Sequence, residues 1–312
     1  MTAPRPALPT VPQGEPSRVA EPHRLMTAPR PALPTVPQGE LSRVAEPHRL
    51  ISASAASPLL QLAGVGKRFG GVEALAAIDL VVERGQICSV IGPNGAGKTT
   101  LFNLVSCLLP PSSGRIVLDG QDITGTPAHR LSRLGVARTF QNLAVFKHET
   151  VMDNILTGMH ARLATHVLQA AWFLGAARRE EIRAREAAEE IVEFLEIETI
   201  RDVPVGTLSY GLQKRVELGR ALAMKPRLLL LDEMVSGMNQ EETEDIARFV
   251  LDIRDERGIT VMMIEHEMGI VMDISDRVCV LNFGRRIAEG TPAEVAADPA
   301  VVAAYLGQAE AA

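Results

Sequence analysis

One glycine-rich segment has the residue types and spacing of a phosphate-binding loop. A strand-like run over residues 86–91 precedes it, and an apolar helical pattern follows it. Glycines let successive backbone N–H groups turn toward phosphate oxygens, and the N-terminus of the following helix adds partial positive charge. The segment fits the pattern G-x-x-x-x-G-K-[ST] and predicts a nucleotide-binding loop of Gly92, Pro93, Asn94, Gly95, Ala96, Gly97, Lys98, Thr99 and Thr100.

Two side chains at the end of this loop carry specific chemistry. Lys98 places a mobile positive charge near the β- and γ-phosphates, and Thr99 is placed to ligate magnesium. The competing interpretation is a glycine-rich turn with a chance lysine. The preceding strand and the following helix disfavour it. The sequence therefore predicts that the chain binds a nucleotide together with Mg²⁺.

A second chemical feature is a pair of carboxylates after an apolar run at residues 228–231. Ligands of open α/β sheets gather at the carboxyl ends of such strands. We expect Asp232 to hold magnesium through water. We expect Glu233 to polarise the attacking water, because phosphoryl transfer needs an in-line nucleophile more than covalent help. The alternative is that both carboxylates only cap a helix, which the phosphate loop makes the weaker reading.

The elements that position these residues alternate between strands and helices from about Leu59 onward. Apolar residues alternate with polar ones at 78–82 and 116–118, which predicts half-buried strands of a small antiparallel layer. The continuous apolar runs at 228–231 and 259–264 predict strands covered on both faces. Between them, a helical pattern of Ile246, Phe249, Val250 and Ile253 is expected to end at Gly258.

A long helical pattern interrupts the strand-forming segments. It spans roughly residues 151–198, where one face carries Ala184, Ala187, Ala188, Ile191 and Leu195. This predicts an inserted helical subdomain at about residues 145–215 within a nucleotide-binding domain at 58–312.

The N-terminal segment differs from the rest of the chain in composition and contains a repeat. Residues 1–25 recur as residues 26–50 with one difference, Pro16 against Leu41. Both copies are rich in proline and poor in large apolar residues, so we expect residues 1–57 to be a disordered extension. A proline-rich docking tail is an alternative function, and Met26 is an alternative start.

The composition excludes other classes of function. The net charge of −6 disfavours a general nucleic-acid binder, and no nucleic-acid partner is expected. Cys88, Cys107 and Cys279 are far apart in apolar runs, which predicts reduced thiols in the cytoplasm rather than disulfides or a metal site. No stretch reaches the roughly 18–20 apolar residues of a membrane helix. We therefore do not expect the chain to cross a membrane by itself.

Taken in order, these motifs resemble the ATPase subunits of ABC transporters over about residues 59–308. The resemblance implies a P-loop NTPase fold of the ABC cassette type, with a mainly parallel core sheet, a small antiparallel β layer and an inserted helical subdomain. Gln141 matches the family's Q-loop glutamine, which touches magnesium and couples the site to the permease. His266 matches the switch histidine near the γ-phosphate, and Phe69 occupies the place of the aromatic that packs against adenine.

The same resemblance implies a dimer. Ser209, Tyr210 and Gly211 match the signature motif that caps the γ-phosphate of the partner subunit. A phosphate loop contacts nucleotide from one side only, so further donors are needed to enclose the γ-phosphate and exclude water. Ser209 and the Gly211 backbone, just before a helix expected at 214–224, offer such donors.

Three residues depart from the common family pattern. Met234 replaces a proline after the catalytic glutamate, Leu212 replaces a glutamine of the signature, and Asn239 replaces an aspartate in the loop that crosses the dimer interface. Neither Met234 nor Leu212 removes a charge that the predicted chemistry needs. The first two leave an active ATPase as the expectation, and the third puts the communication between the two sites in doubt.

Three short segments of the sequence resemble the ATPases of branched-chain amino acid importers. These are residues 135–142, 208–211 and 304–307. The resemblance implies membrane permease subunits, a second ATPase subunit in a homodimer or heterodimer, an extracytoplasmic solute-binding protein, and a place on the cytoplasmic face of a bacterial inner membrane. Relatives of this type also serve other amino acids, amides and carboxylates. A soluble ABC ATPase outside transport and a non-catalytic binding module are the alternatives.

Overall fold

The computed structural model describes residues 58–141, 143–159 and 176–309. The duplicated N-terminal segment, and with it the expectation of disorder over residues 1–57, lies outside these ranges. So do Asn142 and the middle of the predicted helical insertion.

Ten strands occur in the described ranges. In chain order they are β1 (Leu60–Phe69), β2 (Val72–Val82), β3 (Ile87–Ile91), β4 (Ser113–Leu118), β5 (Gln121–Asp122), β6 (Val136–Arg138), β7 (Leu228–Asp232), β8 (Thr260–Ile264), β9 (Arg277–Asn282) and β10 (Arg285–Gly290).

The α-helices of the described ranges are α1 (Lys98–Val105), α2 (Ala128–Leu131), α3 (Val151–Met159), α4 (Ala176–Phe194), α5 (Tyr210–Ala223), α6 (Gln240–Asp255), α7 (Met268–Ile274), α8 (Pro292–Ala297) and α9 (Pro299–Ala309).

The central sheet has the strand order β10-β9-β3-β8-β7-β6. Its strands are parallel except β10, which runs antiparallel to β9. Successive residues of β7 enter two different cores: Leu229 and Leu231 pack toward helices α3 to α7, whereas Leu228 and Leu230 pack toward α1 and the smaller sheet. Side chains of a strand alternate between its faces, so both faces are covered, as the continuous apolar runs predicted.

The second sheet is antiparallel, with the order β2-β1-β4-β5. Ile78, Leu80 and Val82 are buried while the residues between them are exposed, and Ile116 and Leu118 are buried on β4. The predicted antiparallel layer is therefore confirmed, and its apolar face covers one side of the central sheet.

The helical insertion lies between two neighbouring strands. Helices α3, α4 and α5 follow β6, and the chain then returns to the sheet as β7, which pairs directly with β6. On α4, Ala188 and Ile191 are buried, Leu195 just beyond it is buried as well, and all three join the same core as β7. The shared face predicted from the helical periodicity is confirmed for these residues.

Helix α6 begins with a reciprocal cap. The Asn239 side chain accepts a hydrogen bond from the Glu242 N–H at 2.9 Å, and the Glu242 carboxylate accepts one from the Asn239 N–H at 3.2 Å. The helix ends at Asp255, three residues before the expected end at Gly258, which lies in the left-handed region with φ 63°. The glycine allows the turn into β8 but is not the last helical residue.

Candidate functional site

The predicted phosphate loop and the predicted residues Gln141, Glu233 and His266 follow the carboxyl ends of four parallel strands. The phosphate loop follows β3, Gln141 lies beyond β6, Glu233 follows β7, and His266 lies two residues after β8. Since these ends meet at one edge of the sheet, residues far apart in sequence are brought together there.

Glycine is required at both ends of the phosphate loop. Gly92 has φ 146°, and a Cβ there would lie 2.0 Å from the Leu281 carbonyl oxygen. Gly97 has φ 104°, and a Cβ there would lie 2.7 Å from Leu75 Cδ2. The loop is therefore held tightly between β9 and β2, with no room for side chains at these two positions.

Lys98 is folded back across the loop that precedes it. Its side chain is buried, and Nζ donates to the carbonyl oxygens of Gly92 at 2.6 Å and Pro93 at 3.0 Å. Burial lowers the pKa of the Lys98 ammonium, while the negative charge of Glu233 acts in the opposite direction. Lys98 thus lies between the loop and the carboxylate that follows β7.

The loop opens onto a cavity of about 460 Å³. Residues 94–100 of the loop line it, together with Val72, Glu73, Ala74, Glu233, His266, Phe283 and Gly284. The predicted phosphate-binding residues, the candidate base and the candidate switch histidine therefore share one cavity. Sequence reasoning missed Phe283, which is 85 % exposed in the turn between β9 and β10.

Phe69 has a more peripheral position. It is 47 % exposed, so it is not part of the hydrophobic core. It pairs with Val72 across the turn between β1 and β2, and Val72 lines the cavity, whereas Phe69 is absent from the lining among the described residues.

Glu233 is held from both sides by residues of the neighbouring strand ends. Its Oε1 lies 2.8 Å from His266 Nε2, and its Oε2 accepts a hydrogen bond from Gln141 Nε2 at 2.8 Å. Strands β8 and β6 flank β7 in the sheet, so the strand order itself places one partner on each side. The backbone of Glu233 lies in the left-handed region with φ 51°, which is costly for a residue with a side chain.

Asp232 is buried and paired with an arginine whose role sequence reasoning did not identify. Arg138 Nη2 donates to Asp232 Oδ2 at 2.7 Å. The same guanidinium donates to Asn103 Oδ1 at 2.7 Å and Ser106 Oγ at 2.8 Å, both from the region of α1. In the sequence, the only signal for this contact was that Arg138 is a charged residue at the end of a strand, β6, that neighbours β7.

The signature residues lie elsewhere on the chain's surface. Helix α5 begins at Tyr210 and not at Lys214 as expected, because the Ser209 hydroxyl accepts the Leu212 N–H at 3.4 Å and caps the helix there. Gly211 is therefore inside the first turn, where a Cβ would lie 2.3 Å from Glu242 Oε1. None of the signature residues is among the described residues that line the cavity.

Two buried charges on α5 contact the segment that carries Gln141. Glu217 Oε1 accepts hydrogen bonds from the backbone N–H groups of Phe140 at 3.2 Å and Ala144 at 3.4 Å. Lys214 Nζ donates to the Phe140 carbonyl at 3.3 Å and lies 3.5 Å from Glu217 Oε2. Sequence reasoning missed both residues, since a helix pattern alone does not reveal that charged positions face inward.

A further buried ionisable residue, Glu265, lies between β8 and His266. It is 4 % exposed, and its Oε1 accepts a hydrogen bond from the Val235 N–H at 3.3 Å. Burial raises the pKa of this carboxyl group to about 7. Its position next to His266 in the sequence was the only signal that could have drawn attention to it.

Other predicted features can be located within the described part of the chain. All three cysteines are free; Cys88 and Cys279 are buried, and Cys107 is partly buried. No helix in the described ranges has the length and apolar character needed to span a bilayer. Among the same residues, no group of three or more His, Cys, Asp or Glu side chains is arranged to hold a metal ion.

Comparison with known proteins finds matches to ATP-binding subunits of transporters. A family model described as ABC transporter matches residues 75–236, and one described as branched-chain amino acid ATP-binding cassette transporter matches residues 285–311. The chain is 42 % identical over 252 residues to the high-affinity branched-chain amino acid transport ATP-binding protein BraF of Pseudomonas aeruginosa, covering 81 % of this chain and 99 % of BraF.

Two further similarities extend this result. LivG of Escherichia coli, also named a high-affinity branched-chain amino acid transport ATP-binding protein, is 37 % identical over 254 residues, which cover 81 % of this chain and all of LivG (100 %). The crystal structure of a nucleotide-free ATP-binding cassette from an ABC transporter superposes with a TM-score of 0.70 at 34 % identity, covering 80 % of this chain and 99 % of that cassette.

The buried Arg138–Asp232 pair generates a stability prediction. Arg138→Met leaves the Asp232 charge buried without its partner, so the free energy of unfolding should fall by roughly 3–5 kcal/mol. Arg115→Met is the matched control, because Arg115 pairs with Asp122 on the exposed surface, where such pairs contribute about 0.2–1 kcal/mol. Urea denaturation of both variants measures the difference. Equal losses would show that Asp232 does not depend on Arg138.

Proposed function

The chain belongs to the ABC transporter family, and from that premise we propose that it drives an importer of branched-chain amino acids or of a related amino acid, amide or carboxylate. It is an ATP-binding subunit that couples ATP hydrolysis to transport, as members of this family do. The names of BraF and LivG support the choice of solute, although this chain need not contact the solute itself.

One observation carries the proposed catalytic mechanism. The Glu233 carboxylate lies at the cavity of the phosphate loop, fixed by His266 on one side and Gln141 on the other. A carboxylate held in this way can accept a hydrogen bond from an in-line water and polarise it for attack on the γ-phosphate. His266 is exposed at the same cavity, where it can also approach the γ-phosphate.

The loop residues from Gly92 to Thr100 bind the ATP phosphates in this proposal, with Lys98 as the mobile cation. For Mg²⁺, the proposed ligands are Thr99, Gln141 and, through water, Asp232. All three offer the oxygen atoms that Mg²⁺ prefers, and the Gln141 amide donates its nitrogen to Glu233, which leaves its oxygen for the ion. When bound, Mg²⁺ neutralises charge that develops on the phosphate oxygens.

A second ATPase subunit completes the site. Importer subunits of this family dimerise and work with membrane permease components. Ser209 and Tyr210 are exposed at the N-terminus of α5 and lie outside the chain's own cavity, so their donors are available to a nucleotide held by a partner. The partner is a second copy or a related cassette, and the interface makes hydrolysis depend on dimer closure.

The permease contacts the segment next to Gln141 in this proposal. Phe140 is 39 % exposed and lines an open cavity of about 240 Å³ with Leu108 and Leu131, an apolar surface suited to a permease segment. The cassette then lies on the cytoplasmic face of a bacterial inner membrane. An extracytoplasmic solute-binding protein acts on it only through the permease.

Glu233→Gln tests the catalytic assignment. The amide keeps the shape of the side chain but removes the charge that polarises water, so turnover should fall by on the order of 10²-fold or more while ATP binding persists. Lys98→Ala should instead weaken ATP binding, because it removes the cation of the phosphate loop. Steady-state ATPase assays and equilibrium binding of ATP separate the two effects.

Glu267→Gln is the matched control, since it makes the same chemical change at an exposed carboxylate one residue beyond His266. It should hydrolyse ATP like the wild type. If Glu233→Gln also retains wild-type turnover, Glu233 is not the catalytic base.

Phe69→Ala tests the proposed contact with adenine. Loss of an aromatic stacking partner should weaken ATP binding by ~0.5–1.5 kcal/mol. Phe283→Ala is the comparison, because Phe283 is the aromatic residue that lines the cavity. Titration of each variant with ATP decides between them. A loss of affinity in Phe283→Ala but not in Phe69→Ala would assign the base contact to Phe283.

Reconstitution tests the proposed solute. The chain should co-purify with the permease subunits encoded by neighbouring genes, and in proteoliposomes the complete importer should hydrolyse ATP faster when its binding protein carries leucine, isoleucine or valine. The same preparation with Glu233→Gln controls for contaminating ATPases. Stimulation only by an unrelated solute would contradict the assignment.

A further inference from the structure

Glu265 is a buried carboxylate that the proposed hydrolysis does not use. It lies directly after β8 and directly before His266, and only 4 % of the residue is exposed. Burying a carboxyl group in this way is costly unless its oxygens receive hydrogen bonds. The groups that provide those hydrogen bonds therefore indicate what the residue does.

The donors belong to the two residues that follow Glu233. The Val235 N–H donates to Glu265 Oε1 at 3.3 Å, and the Met234 N–H favours the ionised form of the same carboxyl group. On the other side, the Glu233 N–H donates to the Ile264 carbonyl at 2.9 Å. The backbone of Glu233 is thus fixed by β8 before the residue and by Glu265 after it.

Such fixing matters because Glu233 has an unfavourable backbone conformation. A residue other than glycine at φ 51° is strained and persists only when its surroundings enforce that conformation. If the peptides at Met234 and Val235 lose their acceptor, Glu233 can relax toward an ordinary φ. Its carboxylate would then move away from His266 and Gln141.

We propose that Glu265 is a positioning residue for hydrolysis, which holds the Met234 and Val235 peptides so that the Glu233 carboxylate stays between His266 and Gln141. This inference rests on the proposed catalytic role of Glu233. Glu265 itself touches neither the nucleotide nor the reacting water, and it acts through the backbone alone.

Because Glu265 is surrounded by charged groups, we expect its effect on turnover to depend on pH. Glu233 faces Glu265 from the end of β7, and Lys214 faces it from α5. Glu217 lies beside Lys214, and His266 follows Glu265 in the chain. Burial is the main cause that raises the pKa of Glu265 to about 7, and the Glu233 charge raises it further, whereas Lys214 lowers it. Above this pH the ionised carboxylate is a stronger acceptor for the two N–H groups.

The sign of the effect on activity follows from this ionisation. As the pH rises through about 7, Glu265 becomes charged and holds the peptides at Met234 and Val235, and with them Glu233, more firmly. Turnover of the wild type should therefore rise through this range. A neutral side chain that can still accept a hydrogen bond should support the lower level of turnover but not the rise.

The experiment compares Glu265→Ala and Glu265→Gln with Glu267→Gln as the control, all in the full chain. The turnover number, KM for ATP and equilibrium affinity for ATP are measured from pH 6 to pH 8.5. Misplacement of a catalytic group can cost up to ~10²-fold in rate, so turnover of Glu265→Ala should fall by about 10- to 100-fold. Its affinity for ATP should stay within about twofold, because the phosphate loop is untouched.

Glu265→Gln should match the wild type below pH 7 and lack the rise above it, since its amide oxygen still accepts a hydrogen bond but does not ionise. His266 is unchanged in every variant, so a difference between the profiles is due to the substitution itself. Wild-type turnover in Glu265→Ala would overturn the proposal. So would an equal loss of ATP binding and turnover, which would indicate a purely structural role.

Three further outcomes keep the test decisive. If Glu265→Ala does not fold, the pH profile of Glu265→Gln decides: a profile that superposes on the wild type overturns the proposal, and a missing rise supports it. If Glu233→Gln is inactive while Glu265→Ala is fully active, only this inference fails. If Glu233→Gln is itself fully active, the proposed catalytic mechanism fails and the inference fails with it.

Discussion

The geometry of the candidate site depends on the order of three adjacent parallel strands. Strands β8, β7 and β6 lie side by side, and their carboxyl ends present His266, Glu233 and Gln141 in that order. Both hydrogen bonds to the Glu233 carboxylate, each of 2.8 Å, follow from this arrangement. The fully covered sheet keeps these strand ends in register, so the packing of its two faces also determines the geometry of the site.

Buried charges connect this edge to the helix that carries the signature residues. Lys214 and Glu217 are on α5, yet both contact the backbone at Phe140, next to Gln141. Such groups are costly to bury and remain stable only while their partners are in place. A displacement of α5 would therefore move the backbone next to Gln141, and with it the Gln141 side chain that is hydrogen-bonded to Glu233. This gives a physical route by which closure of a dimer or a contact with the permease can affect hydrolysis.

The departures from the common family pattern fit the local structure. Asn239 caps α6 through its side chain, and asparagine and aspartate serve this role about equally well. Met234 is buried at 1 % exposure, and its N–H, which a proline would lack, favours the ionised form of the Glu265 carboxyl group. The residue that replaces the usual proline thus provides one of the contacts that hold the segment after Glu233.

The sequence by itself determined the features that depend on near neighbours in the chain. The spacing of Gly92, Gly97 and Lys98 predicted a phosphate loop between β3 and α1, and continuous or alternating apolar residues distinguished the strands of the two sheets. Tertiary structure alone decided contacts between residues distant in sequence, such as Arg138 with Asp232 and Val235 with Glu265. It also decided where α5 begins and left Phe69 exposed. Periodicity reports which face of an element is apolar, but the partner of a polar side chain depends on which strands become neighbours in the folded sheet.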